Sequence, residues 1–100
     1  MAPDVYELAV QVAEETGGTL GTANSGGYKI TIPYGRRGIM IRVMDPTGQY
    51  PDGYYRISIP GKEAYDVNGN VTQVLEDTHI PIEEGALDNI LSIVETIQGG

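Results

Sequence analysis

The sequence predicts an α+β fold, an antiparallel sheet of about four to six strands packed against an N-terminal and a C-terminal helix. Three observations carry that expectation. Apolar residues at both ends of the chain recur with the 3.6-residue period of a helix, and the middle alternates with the two-residue period of strands. No strand–helix–strand alternation, which a parallel sheet needs, lies between them. One hundred residues suit one domain with a modest core, read here as helix 3–16, sheet 19–82 and helix 83–98.

The first helix is expected over Pro3 to Thr16, where Val5, Leu8, Ala9, Val12 and Ala13 form one stripe. Pro3 suits the first turn, Asp4 and Glu7 suit the positive end of the dipole, and Gly17-Gly18 supplies the stop. Thr19 to Thr22 reads as a short edge strand, followed by the loop Ala23 to Gly27. Tyr28 to Ile32 alternates, with Lys29 and Thr31 opposite Tyr28, Ile30 and Ile32. Pro33 to Gly38 is a turn carrying Arg36 and Arg37.

Two central strands follow. In Ile39 to Met44, Ile39, Ile41 and Val43 share a face, so Arg42 points the other way beside Met40 and Met44. In Tyr54 to Ile59, Tyr55, Ile57 and Ile59 oppose Tyr54, Arg56 and Ser58. The connector Asp45 to Gly53 is too long for a tight hairpin and is expected to project. Beyond Pro60-Gly61, the runs Ala64 to Val67 and Val71 to Leu75 bracket Asn68-Gly69, a hairpin signal calling for positive φ at both turn positions. Thr78 to Ile82 reads as extended because of Pro81. Glu83 to Gln98 is the closing helix, striped by Leu87, Ile90, Leu91, Val94 and Ile97 and ended by Gly99-Gly100.

Charge is distributed unevenly. The formal net charge is -8, which argues against general affinity for nucleic acid. All six basic residues nevertheless lie between Lys29 and Lys62, where Asp45 and Asp52 are the only acids, leaving that window at +4. Two readings follow. Either helix carboxylates pair with the sheet's cations, or the sheet presents an anion site on an otherwise acidic protein.

The absences narrow the chemistry. With no cysteine and one histidine, neither thiolate chemistry nor a zinc site of ordinary composition is expected. No glycine-rich loop opens a helix after a strand, and no serine sits in a nucleophile-elbow setting. Asp45 and Asp52 match no calcium loop. No cofactor and no metal are expected. Met1 to Glu7 lacks a secretory signal's basic and apolar segments, and no apolar run reaches the length of a membrane span, so a cytoplasmic, non-membrane protein is expected.

What remains is one face bearing Lys29, Thr31, Arg42, Tyr54, Arg56 and Ser58. His79 joins it if Ile80 and Ile82 point to the core. Arginine presents planar donor forks to phosphate oxygens, tyrosine offers a ring to a base, and histidine exchanges protons near neutrality. Such a set could cleave RNA without metal: His79 would serve as acid or base, and Arg42 and Arg56 would stabilise the phosphorane charge. It could equally hold a nucleotide without turnover. A structural role for His79, and a strand-forming role for Tyr54 and Tyr55, stand beside these readings.

The order of segments, GYKI and IP, then IxIRVMxxxG, then YYRISIPGKxxYxVNG, then THI before an apolar helix, resembles C-terminal toxin domains of bacterial polymorphic toxin systems, delivered nucleases with small α+β folds. The similarity runs from about Gly27 to Ile97. It implies that Arg42, Arg56, Lys62 and the Thr78-His79 pair are working residues, and that an immunity protein is a partner. Such nucleases are generally basic, whereas this chain is acidic and begins at its own Met. That departure implies a freestanding relative, carried by a phage or mobile element. Such a relative would act on RNA or a small nucleotide, or would be an anti-defence protein that sequesters a nucleotide signal or blocks a host defence enzyme by acidic mimicry. Self-association suits the second role.

Overall fold

The computed structural model describes residues 1–99. Gly100, half of the expected C-terminal stop, lies outside them. The chain runs α1 (Val5–Thr16), β1 (Thr19–Thr22), β2 (Tyr28–Ile32), β3 (Ile39–Met44), β4 (Tyr54–Ile59), β5 (Glu63–Tyr65), β6 (Val71–Thr72), α2 (Leu75–Thr78), β7 (Ile80–Pro81) and α3 (Ala86–Ile97). The seven strands form one antiparallel sheet in the order β1-β2-β3-β4-β5-β6, with β7 on β4. The fold is α+β, and α1 and α3 pack beside each other with α1 against β2 and β3.

Helix α1 begins two residues later than Pro3. Asp4 is the N-cap, its carboxylate accepting the Glu7 backbone N–H, which leaves Pro3 ahead of the helix. Gly17 closes it at φ 72°. Helix α3 begins at Ala86, because Gly85 at φ 87° ends a turn that takes up Glu83 and Glu84. Its buried arc is Ala86, Ile90, Ile93 and Val94. Leu91 sits at the margin of that arc, and Ile93, absent from the expected stripe, occupies its centre.

The core lies between the helices and one face of the sheet. Leu8 and Val12 of α1 and Ile90 of α3 are wholly buried with Ile30, Ile39, Ile41, Val43 and Ile57 of the sheet. The register pairs Ile30 with Ile41 and Ile41 with Ile57. Because side chains alternate, that register sends the intervening residues to the face away from the helices.

The segment after β4 departs from expectation. The Asn68-Gly69 hairpin exists, but Gly69 alone has positive φ. Gly69 N–H donates to the Asp66 carbonyl, and Asp66 N–H donates to the Asn70 carbonyl, giving a three-residue turn with a glycine bulge. The Asp66 carboxylate accepts from Asn68 and Asn70 N–H and holds the turn without positive φ at Asn68. Val71 to Leu75 is not one strand. The Thr72 hydroxyl accepts the Val74 N–H, turning the chain out of the ladder after two residues, and Leu75 to Thr78 closes a single helical turn. Strand β7 then returns to β4. The outer edge of β4 is thus divided, Ser58 and Ile59 facing β5 while Tyr54 and Tyr55 face β7.

Two core tyrosines make the fold sensitive to alkali. Tyr65 is buried and donates to the Glu63 carboxylate at 2.9 Å; burial first, and that acceptor second, push its pKa up to about 12 from 10.0. Burial likewise raises that of Tyr55, partly offset by the Asn89 amide that donates to its oxygen. The folded state favours the protonated phenols. Their contribution to stability is complete below about pH 10 and is lost as pH climbs through about 12. Denaturant midpoints should therefore fall across that window, and fall less in Tyr65→Phe. An equal fall in both proteins would show that Tyr65 carries none of the effect.

Candidate functional site

Lys29, Arg42 and Arg56 stand directly opposite one another on β2, β3 and β4, a row of three cations across the sheet. Opposed residues on neighbouring strands have Cβ atoms about 5 Å apart, and like charges so placed destabilise the pair. No carboxylate pairs with any of the three among the described residues. Among the described residues the one salt bridge joins the Met1 amino group to Glu84, and none of the three cations makes a side-chain hydrogen bond. Helix carboxylates do not neutralise the row, because α1 and α3 cover the other face. The acids within the basic stretch are also elsewhere: Asp45 and Asp52 line a separate depression of about 770 Å³ with Asp4 and Glu7 at the start of α1.

The row opens into a cavity of about 540 Å³. Met40, Arg42, Arg56 and Ser58 form its floor on the open face of the sheet. The β5–β6 hairpin and α2 fold over that floor and supply Val71, Gln73, Leu75 and Thr78 as its wall, with Pro60, Gly61 and Lys62 at the turn after β4 and Glu63 as the one carboxylate of the lining. Ser58 is buried on the floor and makes no side-chain hydrogen bond among the described residues, so its hydroxyl is free to serve a ligand. The hydroxyl of Thr78 is not free: it is buried and donates to the Leu75 carbonyl at 2.6 Å.

Tyr54 and His79 belong to the same face but not to the cavity lining. Their rings lie 4.9 Å apart, and Tyr50 from the long loop packs against Tyr54 at 4.9 Å. His79 Nδ1 is 3.0 Å from the Leu75 carbonyl and 3.1 Å from the Thr78 hydroxyl. A carbonyl only accepts, so the ring proton is assigned to Nδ1, which leaves Nε2 of the neutral ring with a lone pair. Lys29 lies at the far end of the row, two strands from β4.

Five of the eight residues singled out from the sequence therefore meet at one place: Arg42, Arg56, Ser58, Lys62 and Thr78 line the cavity, while Lys29 stands outside it, opposite Arg42. Tyr54 and His79 form a second, aromatic group on the same face. Sequence reasoning missed the wall. Its signal was the cluster of aliphatic residues around the Asn68-Gly69 turn, of which Val71, Val74 and Leu75 are more than half exposed.

Among the described residues no group of three or more His, Asp or Glu side chains is placed to hold a metal ion. No helix is long and apolar enough to cross a membrane. Fold and site together define an α+β protein with a cation-floored cleft on the partly open face of its sheet. No protein-family model, curated protein or solved structure matches the chain.

Proposed function

We propose that the protein binds the phosphate groups of a nucleotide or RNA end in the cleft over Arg42 and Arg56, holding the ligand without turning it over. The observation that supports this reading is the unpaired row Lys29–Arg42–Arg56, of which Arg42 and Arg56 floor a cavity walled by Val71 and Leu75 beside Gln73 and Thr78. Three like charges in register cost stability unless an anion completes them. The cavity has the volume of a small-molecule site. Guanidinium forks suit phosphate oxygens, and Val71, Leu75 and the Gln73 amide offer a base both contact area and hydrogen bonds. The net charge of -8 repels a long polyanion while leaving a short ligand able to reach the cations. Calorimetric titration with nucleoside mono- and diphosphates should give saturable binding that weakens with added salt. Absence of heat with every nucleotide at low salt would remove this reading.

A second reading, metal-independent ribonuclease activity of the toxin-domain type, has one observation in its favour: a histidine whose Nε2 can accept a proton, on the arginine face. It is the weaker, because the cavity lining contains Arg42 and Arg56 but not His79. Incubated with total RNA and chelator, the protein is expected to leave the RNA intact. Cleavage that disappears in both His79→Ala and Arg56→Ala would reverse that ranking.

A further inference from the structure

The cation row has a base-sized surface on each side of it. Along β4 the open face presents Tyr54, Arg56 and Ser58 in turn, about 6.7 Å apart. From Arg56 and Ser58 toward the β5–β6 hairpin extends the cavity, walled by Val71, Gln73, Leu75 and Thr78. Beyond Arg56 in the other direction lies the aromatic group, in which the Tyr50 and His79 rings are within 20° of parallel, 6.5 Å apart, with Tyr54 against both. All three of these rings are half-buried and offer surface to solvent.

We infer that the ligand is a dinucleotide carrying two phosphates, with one base against the Val71 and Leu75 wall of the cavity, the other on the Tyr50–Tyr54–His79 group, and the phosphates between them on Arg42 and Arg56 of the cavity floor. This deepens the nucleotide reading above and rests on it. A mononucleotide in the cavity would leave the solvent-facing surface of the aromatic group uncovered. Stacking on tyrosine is available to any base, so the second surface selects for the number of bases more than for their identity. Charge sets the number of phosphates: a lone phosphodiester would leave two of the three aligned cations unmatched, whereas two phosphates bring the row near neutrality. Both a cyclic dinucleotide and a 5′-phosphorylated linear one meet these terms.

The test is a calorimetric series at low salt. Cyclic diadenylate, cyclic diguanylate, pApA and pUpU are each compared with the matching 5′-monophosphate, and a six-nucleotide RNA is included. At least one dinucleotide should bind tenfold or more tightly than its monophosphate, and whether the cyclic or linear arm wins identifies the source. Tyr54→Ala and Tyr50→Ala should each shrink that ratio toward one, and Tyr54→Phe should keep it, since stacking needs only the ring. Thermal melts of the variants exclude misfolding as the cause. A ratio near one in the unmodified protein, a ratio indifferent to both alanine variants, or tighter binding of the hexamer than of any dinucleotide would each overturn the two-base inference. Silence from monophosphates and dinucleotides alike would instead remove the nucleotide reading beneath it.

Discussion

Arg42→Leu is expected to weaken nucleotide binding by about 10- to 100-fold and, in the same protein, to raise the melting temperature. Arg42 is the middle cation of the row, opposed by Lys29 on one side and Arg56 on the other. A hydrogen bond to a charged group is worth about 1.5–3 kcal/mol, and about 1.4 kcal/mol is a factor of ten. Leucine keeps an apolar stem between Met40 and Met44 while removing both like-charge contacts, each worth up to about 1 kcal/mol. For a chain of this length about 1 kcal/mol corresponds to a shift of roughly 4–8 °C. The opposite signs make the test sharp, because a residue retained for structure would lose binding and stability together. Arg42→Lys separates charge from geometry: it keeps the repulsion but loses the fork, so binding should fall by an intermediate amount with little change in melting. Differential scanning fluorimetry and titration calorimetry on the three proteins read both quantities. Unchanged affinity in Arg42→Leu would mean that the row is not where the ligand sits.

Much of this site is legible in the sequence, and the part that is not has a local cause. Period-two alternation is enough to send Arg42 and Arg56 to one face, because a one-residue slip would expose Ile39, Ile41 and Val43. It does not say that the two arginines stand opposite each other. That register is set across the nine residues Asp45 to Gly53, whose length fixes no turn type. The wall of the cavity was harder. Val71 to Leu75 has the alternation and the β-branched residues of a strand, yet the ladder stops at Thr72 because its own hydroxyl satisfies the Val74 N–H. Once that bond forms, Leu75 to Thr78 closes a helical turn over the sheet, and His79 is placed by the carbonyl of Leu75 rather than by strand parity alone. A side chain competing for a backbone donor leaves no trace in a hydrophobic pattern. The most informative part of the cleft was therefore the part the pattern described wrongly.

Gly53 leads the long loop into β4, and Gly53→Ala is expected to destabilise the protein by about 3 kcal/mol or more, summing backbone strain and overpacking. Its φ of 89° lies where residues with a Cβ are strained. A Cβ added there would also run into the carbonyl oxygen of Met44, with Ile82 and Val5 close behind. None of these neighbours can withdraw easily. Met44 is the last residue of β3, Ile82 is anchored by its N–H donating to the Gly53 carbonyl at 3.0 Å, and Val5 opens α1 in the core. The melting temperature should fall by more than about 10 °C. Because Gly53 directly precedes Tyr54, strain relieved by shifting β4 would also disturb the pairing of Arg42 with Arg56, and nucleotide affinity should drop in whatever fraction remains folded. Gly48→Ala is the matched control in the same loop: its φ is ordinary and no atom lies within 4 Å of the added carbon, so it should be neutral or stabilise by a few tenths of a kcal/mol. Equal melting of the two variants would show that the loop gives way around residue 53, and that the cation row does not depend on this glycine for its register.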